Sequence, residues 1–228
     1  MIKYASVISD TLLDKILFFK EVELKRLTLL FGGNGAGKSS FLKGLTPNAK
    51  HKEQGFALKV SFDPDTHYVH YSNARCNYLN RDLDEYRSDM YLLAAITNKK
   101  FKARELSEGE SSVYSVEDFK YMVETQLDGE YLVAIDEIDT GLDPINVREF
   151  CKWLKEMLKK KPKLQFVIAF NNYEFVRAFA DQEVFLNMYT GHYEKLEDDY
   201  EEYISYLDSL KYNFKRKHFE EALEEANK

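Results

Sequence analysis

Short runs rich in apolar residues recur along the chain, and a polar or glycine-containing segment follows each run. The runs cover 27–31, 56–62, 68–71, 131–135, 164–170 and 184–188. A strand that is apolar along its whole length suits a parallel sheet that is buried on both faces. Apolar residues at helical spacing predict helices over 39–45, 78–96, 111–127 and 146–160. The alternation of strands and helices predicts an α/β fold with a mostly parallel core sheet and short antiparallel strands.

The chain divides into a main domain and an acidic tail. We expect the main domain to cover 1–192, with a helical subdomain at about 78–127. The tail, 193–228, contains 11 acidic and 6 basic residues, and Tyr200, Tyr203 and Leu207 lie at helical spacing within it. This pattern predicts a helical extension whose aromatic stripe packs on the main domain, and the alternative is a helix that docks on a partner protein.

Composition excludes several classes of protein. The 228 residues have a mean hydropathy of −0.49 without an apolar run of membrane-spanning length, so we expect a cytoplasmic protein rather than a membrane protein. Two cysteines do not form a disulfide scaffold. The net charge of −7 does not indicate a general nucleic-acid binder, since phosphate contacts need Lys and Arg. A cluster of Lys99, Lys100, Lys102 and Arg104 leaves a local nucleic-acid contact possible.

A glycine-rich loop follows the first clear strand and precedes a helix. Its residues are Gly32, Gly33, Asn34, Gly35, Ala36, Gly37, Lys38, Ser39 and Ser40. They match G-x-x-x-x-G-K-[ST], in which backbone N–H groups and a helix N-terminus face phosphate oxygens. The Lys38 charge can reach the β- and γ-phosphates, and the Ser39 hydroxyl can bind Mg²⁺. The alternative is a glycine-rich turn that matches by chance.

Two acids end the strand at 131–135. Asp136 stands at the carboxyl end of this strand, where it can hold Mg²⁺ directly or through water. On an extended chain the adjacent Glu137 points to the opposite side, where it can orient or deprotonate a water in line with the γ-phosphate. A solvated strand end is the alternative for this pair considered alone.

Together with two further segments, these motifs resemble those of the ABC-type ATPase superfamily. The segment Leu106–Glu110 is similar to the family's LSGGQ signature and keeps Ser107 and Gly109, whereas Glu108 and Glu110 depart from it. The segment 138–144 looks like the family's D-loop, with Asp143 at its aspartate. The four motifs occur in the family's order and span most of the chain.

The resemblance implies ATP and Mg²⁺ as ligands and a dimer that sandwiches the nucleotide. In that arrangement Ser107, Gly109 and Asp143 of one chain cover ATP on the loop of a second copy, which predicts an ATP-dependent homodimer. The alternative for Ser107 and Glu110 is a helix capping box, and both interpretations can hold. The segment before the loop, 23–32, resembles the corresponding segment of the soluble RecF-like and SMC-head-like ATPases of this superfamily, including those of mobile elements and antiviral defence. Too few residues separate Ser39 from Leu106 for a long coiled-coil arm.

Two departures from the family concern catalysis. The family's γ-phosphate histidine aligns with Asn171, which can donate a hydrogen bond but carries no charge. We therefore expect slow hydrolysis that Asn171→His would raise, although Asn171 can equally be a simple turn residue. Histidine 192 lies beyond the next strand and is expected at the surface. The expected Q-loop glutamine is missing, and Asn73 is its possible substitute.

Three functions are open on these grounds. The first is a soluble Mg²⁺-dependent ATPase whose dimerisation powers or gates a partner process, such as a DNA transaction or phage defence, with a protein effector as its probable partner. The second is a slow or non-hydrolysing ATP-dependent switch that regulates an effector. The third is a transporter nucleotide-binding subunit, which the missing glutamine disfavours, because in transporters the Q-loop couples to membrane subunits.

Overall fold

The computed structural model describes residues 2–17, 19–45, 55–62, 66–72 and 108–212. The helix predicted over 78–96, the basic cluster at 99–104 and Asn73 lie outside the described residues, as does Ser107. Within the described ranges, the predicted strands and helices all occur, with boundaries that shift by a few residues.

The main sheet has six strands. In spatial order they are β5 (His67–Ser72), β6 (Tyr131–Asp136), β7 (Leu164–Ala169), β3 (Leu27–Phe31), β8 (Phe185–Asn187) and β9 (Tyr193–Glu194). Every neighbouring pair is parallel except β8 and β9, which are antiparallel. Strands β3 and β7 are buried at every residue. The parallel pairs confirm the predicted mostly parallel sheet, and burial on both faces explains why the central strands are largely apolar.

A second, antiparallel sheet covers one face of the first. It consists of β2 (Glu21–Glu23), β1 (Ile2–Val7) and β4 (Leu58–Phe62), with β1 in the centre. The predicted strand at 56–62 therefore begins at Leu58 and belongs to this small sheet rather than to the parallel one. Helices α1 (Leu12–Ile16) and α2 (Lys38–Leu45) lie between the two sheets. Phe41 and Leu42 of α2 are fully buried in the hydrophobic core between the sheets.

Three helices cover the opposite face of the main sheet. They are α3 (Glu108–Gln126), α4 (Pro144–Lys160) and α5 (Glu174–Phe179). The indole of Trp153 donates a hydrogen bond to Glu124 Oε1 at 2.7 Å, and the Lys161 ammonium donates to Val123 O and Leu127 O at the end of α3. These bonds hold α3 against α4, since a cation at a helix C-terminus satisfies carbonyls that have no partner within the helix.

The tail forms a helix at 200–212, here called the tail helix, that packs on this same face. Tyr203 is buried, and the rings of Tyr203 and Tyr206 lie 5.8 and 5.7 Å from that of Phe31. The aromatic stripe thus packs on the main domain, as the first of the two sequence interpretations expects. None of the helices in the described ranges combines the length and hydropathy that a membrane-spanning segment needs.

Candidate functional site

The glycine-rich loop joins the end of β3 to the start of α2. Gly35 and Gly37 have φ angles of +87° and +88°, in the left-handed region that favours glycine. A Cβ on Gly37 would lie 2.9 Å from Ile16 Cγ2 and 3.0 Å from Leu17 Cδ2, so the end of α1 packs directly under the loop. Asn34 and Gly35 are exposed at its crown, and a Cβ on Gly35 would meet nothing within 4 Å. The loop is therefore supported from below and open above.

Lys38 is the buried cation of this loop. Its side-chain ammonium donates hydrogen bonds to the carbonyl oxygens of Gly32, at 2.7 Å, and Gly33, at 3.4 Å. Burial lowers the pKa of Lys38, while the nearby carboxylates of Glu137, Asp139 and Asp136 act in the opposite direction. The ammonium thus has only carbonyl partners on the loop, and an anion bound there would be a stronger acceptor.

Ser39 and Asp136 meet although 97 residues separate them in sequence. The Ser39 hydroxyl donates to Asp136 Oδ1 at 2.8 Å, and Asp136 is buried at the end of β6. In the sheet, β7 separates β3 from β6. Helix α2 packs across β7 and β6 on one face of the sheet, and this packing brings Ser39 to Asp136.

The Ser39–Asp136 pair fits Mg²⁺. Within the described ranges, no group of three or more His, Cys, Asp or Glu could hold a metal ion by itself. Mg²⁺ usually takes one or two protein oxygens and completes its shell with phosphates and waters. A hydroxyl and a carboxylate beside a phosphate-binding loop meet this requirement.

Glu137 does not continue the strand, which corrects the expectation of an extended chain at this residue. Its φ angle is +52°, in the left-handed region, and its N–H donates to Ala169 O at 3.1 Å. A non-glycine residue in this conformation costs roughly 1–2 kcal/mol, which the surrounding structure must offset. The turn brings Glu137 beside Asn171, whose side-chain amide donates to Glu137 Oε1 at 3.4 Å. The predicted catalytic pair therefore lies together in the fold.

Asp139 is a site residue that the sequence analysis did not identify. Its Oδ2 accepts hydrogen bonds from the backbone N–H groups of Asn171, at 2.6 Å, and Asn172, at 2.5 Å. Burial raises the pKa of Asp139 despite these two bonds, and its Oδ1 has no hydrogen-bond partner among the described residues. The only sequence feature that points to Asp139 is its position as a third acid soon after Asp136 and Glu137.

Of the residues expected to cover a second copy's nucleotide, Gly109 and Asp143 lie at the starts of α3 and α4, and Ser107 lies outside the described residues. Asp143 is exposed, and its Oδ1 accepts the N–H of Asn146 at 2.8 Å, so it caps α4. Gly109 lies in the first turn of α3. A Cβ on Gly141 would lie 2.7 Å from Ser112 Oγ, which places the start of α3 against the turn before Asp143. The histidine at 192 is exposed, as expected.

No protein-family model and no curated protein matches this chain. Among solved structures, it is similar to cbiO1 from Clostridium perfringens, described as part of the ABC transporter complex cbiONQ, at 18% identity and a TM-score of 0.43, with 92% of each chain covered. A nucleotide-free ATP-binding cassette from an ABC transporter gives 15% identity, a TM-score of 0.46 and coverage of 92% of this chain and 96% of the other. An ATP-binding subunit of an ABC transporter gives 15% identity, a TM-score of 0.46 and coverage of 93% and 97%.

These three structures come from the superfamily that the motifs resemble. Their descriptions name transporters and do not bear on the soluble branches.

Proposed function

We propose that this chain binds ATP with Mg²⁺ and hydrolyses it, as ABC-type ATPases do. The observation that carries the proposal is the 2.8 Å contact between Ser39 Oγ and Asp136 Oδ1 beside the buried ammonium of Lys38. The loop from Gly32 to Ser40 would bind the phosphates through backbone N–H groups and the start of α2. Ser39 and Asp136 would hold Mg²⁺, which offsets phosphate charge when bound.

Glu137 and Asn171 are the residues that we propose for the chemical step. Glu137 would orient the attacking water and accept its proton, and the amide of Asn171 would fix the Glu137 carboxylate, to which it already donates a hydrogen bond at 3.4 Å. The attacking oxygen then forms a bond to the γ-phosphorus while the bond to the bridging oxygen of ADP breaks.

We further propose that ATP drives formation of a homodimer with two sites. Ser107, Gly109 and Asp143 of each copy would cover the nucleotide of the other. The main domain, 1–192, would then act as the motor, and the acidic tail, 193–228, would add the edge strand β9 and the tail helix to it. The process served would be one away from the membrane, with a protein effector or nucleic acid as partner, such as a DNA transaction or phage defence.

An ATP-dependent switch is the second candidate. Asn171 supports it, because this residue is uncharged where a cation would stabilise the charge that develops on the γ-phosphate. A switch would bind Mg²⁺ and ATP through the same loop and turn over very slowly.

Nucleotide binding is the first test. Lys38→Ala should weaken binding of Mg²⁺–ATP by about tenfold to a hundredfold, because it removes a charge-assisted contact to phosphate. Titration calorimetry measures the affinity. Lys43→Ala is the matched control, since Lys43 lies on the same helix with its ammonium 5.2 Å from the Phe56 ring. Equal affinities of the wild type and the two variants would contradict the proposal.

Turnover separates the enzyme from the switch. Glu137→Gln should lower steady-state phosphate release by about a hundredfold while leaving ATP affinity in place, since it removes the proton acceptor. Glu149→Gln, an exposed acid on α4, is the control and should match the wild type. If the wild type and Glu137→Gln both hydrolyse ATP at the same residual rate, the chain is a switch rather than an ATPase.

A further inference from the structure

Tyr189 contacts the phosphate loop from outside the loop motif. It follows β8, and its hydroxyl oxygen accepts a hydrogen bond from the backbone N–H of Gly33 at 3.1 Å. A Cβ on Gly33 would lie 3.1 Å from this hydroxyl, and a Cβ on Gly32 would lie 3.4 Å from the ring carbon Cε2. The two glycines therefore let the tyrosine ring approach the backbone closely.

This bond and the bond from Lys38 act on one peptide group. The carbonyl of Gly32 and the N–H of Gly33 belong to the same peptide, and Lys38 donates to that carbonyl at 2.7 Å. When the ammonium turns to phosphate oxygens, as proposed above, it no longer holds the carbonyl. Tyr189 then remains to fix the orientation of the Gly32–Gly33 peptide through its N–H.

The hairpin that carries Tyr189 is itself held by a partly buried polar network. The Tyr189 N–H donates to Asn187 Oδ1 at 2.8 Å, and the Asn187 amide donates to Glu194 Oε1 at 2.7 Å. The Tyr206 hydroxyl of the tail helix donates to Glu194 Oε2 at 2.8 Å. Asn187 is fully buried, and the Tyr206 ring stacks on Phe31, the residue before the loop. The tail helix is thus connected to the phosphate loop in two ways. One is the hydrogen-bond network of the hairpin, and the other is the packing of the Tyr206 ring on Phe31.

We propose that Tyr189 is a positioning residue of the nucleotide site, which holds the first turn of the phosphate loop in its binding conformation under control of the tail helix. The inference rests on the proposed function, because it concerns the same loop. It adds a residue outside the four motifs and gives the acidic tail a role in nucleotide affinity.

Tyr189→Phe tests the proposal, with Tyr193→Phe as the matched control. Tyr193 lies on the same hairpin, and its hydroxyl also accepts a backbone N–H, that of Lys25, at 3.1 Å. It additionally bonds to Thr28 Oγ1 at 2.7 Å, so this control removes hydrogen bonds to Lys25 and Thr28 and none to the loop. Both variants keep the ring, and only one of them changes the loop.

We expect Tyr189→Phe to weaken Mg²⁺–ATP binding by about three- to tenfold, the effect of one lost hydrogen bond. The Michaelis constant should rise by the same factor with little change in turnover number, because Tyr189 does not contact the reacting atoms. Tyr193→Phe should leave affinity unchanged. Unchanged or tighter binding in Tyr189→Phe, or equal weakening in both variants, would overturn the proposal.

A second measurement needs no nucleotide. The chain contains 10 glycines, so isotope labelling of glycine resolves few amide signals and makes that of Gly33 accessible by NMR. Hydrogen exchange at Gly33 should be faster in Tyr189→Phe than in the wild type and unchanged in Tyr193→Phe. Equal exchange in all three proteins would mean that the hydroxyl does not hold this N–H.

Tyr206→Phe addresses the tail helix. It keeps the ring on Phe31 and removes the hydrogen bond to Glu194. We therefore expect weaker binding of Mg²⁺–ATP, with a smaller loss of affinity than in Tyr189→Phe. An affinity equal to that of the wild type would remove the tail helix from the proposal. The proposed function fails separately, because in that case the wild type itself would not bind Mg²⁺–ATP more tightly than Lys38→Ala.

Discussion

At the scale of single residues, the site depends on groups whose partners come from distant parts of the chain. Ser39 meets Asp136, Asn171 meets Glu137, and Asp139 binds the backbone of 171–172. Asp139 touches neither the loop nor the proposed metal ligands by a hydrogen bond among the described residues. Its two bonds instead fix the backbone that carries Asn171, so it is a positioning residue.

Two substitutions of Asp139 should distinguish its positioning of the Asn171 backbone from the effect of its charge. Asp139→Ala removes the shared acceptor of two backbone N–H groups, so we expect about 1–3 kcal/mol less stability and a clearly lower turnover with ATP affinity retained. Asp139→Asn keeps one acceptor oxygen and should lose less of both. Denaturant unfolding and steady-state phosphate release measure the two effects. Normal turnover in Asp139→Ala would show that Asn171 needs no such support.

At the scale of elements, an ion pair between α4 and α5 supports the same backbone segment. The Arg148 guanidinium donates to both carboxylate oxygens of Glu174, at 2.9 and 3.1 Å, and Glu174 begins α5 directly after the Asn171 turn. The Glu174 side chain is 11% exposed and that of Arg148 48%. The hydrogen bonds from Arg148 are the main reason that the pKa of Glu174 lies below its ordinary value of 4.5, although burial opposes them.

This pair should make stability depend on pH. Because the folded-state pKa of Glu174 is lowered, its contribution is present above the unfolded value of 4.5 and is lost as pH falls through the folded value. Glu174→Gln should therefore cost about 1 kcal/mol at pH 7, and the difference from the wild type should shrink below pH 4.5, as urea unfolding would measure.

The matched control is Glu183→Gln, whose carboxylate is 58% exposed beside Lys25. An exposed pair contributes little to stability, so Glu183→Gln should destabilise the protein far less than Glu174→Gln. Equal costs in the two variants, or a cost of Glu174→Gln that persists unchanged in acid, would contradict this account.

At the scale of the whole molecule, two large apolar side chains are exposed on the helices that carry the proposed dimer residues. Ile145, two residues after Asp143, is 67% exposed at the start of α4. Tyr114 on α3 is also exposed, at 57%. Large apolar side chains exposed next to a polar capping residue are typical of an interface core with a polar rim.

In the proposed sandwich the nucleotide joins the two copies, so we expect a dimer only with bound nucleotide. We expect Glu137→Gln, which binds ATP without hydrolysing it, to elute at twice its monomer mass in the presence of Mg²⁺ and ATP, as light scattering on a sizing column would measure. The double variant Lys38→Ala/Glu137→Gln should remain monomeric. A dimer of Glu137→Gln without nucleotide, or none with it, would count against the sandwich.

Local patterns determined much of this protein. The apolar runs predicted β3, β6 and β7, because a strand buried on both faces leaves a continuous signal. The loop motif predicted the turn from β3 into α2, since its glycines and lysine are adjacent in sequence. The order of the motifs carried the family resemblance, and that resemblance aligned Asn171 with the family's γ-phosphate histidine.

The tertiary structure decided the contacts between segments. The order in which parallel strands assemble is not written in any one strand, so only the fold shows that β7 lies between β3 and β6 and that α2 brings Ser39 to Asp136. The left-handed turn at Glu137, the anchor at Asp139 and the bond from Gly33 to Tyr189 likewise need neighbours that are far away in sequence. Sequence therefore determines the chemical groups of this site, and their geometry follows only when the sheet and its crossing helices bring them together.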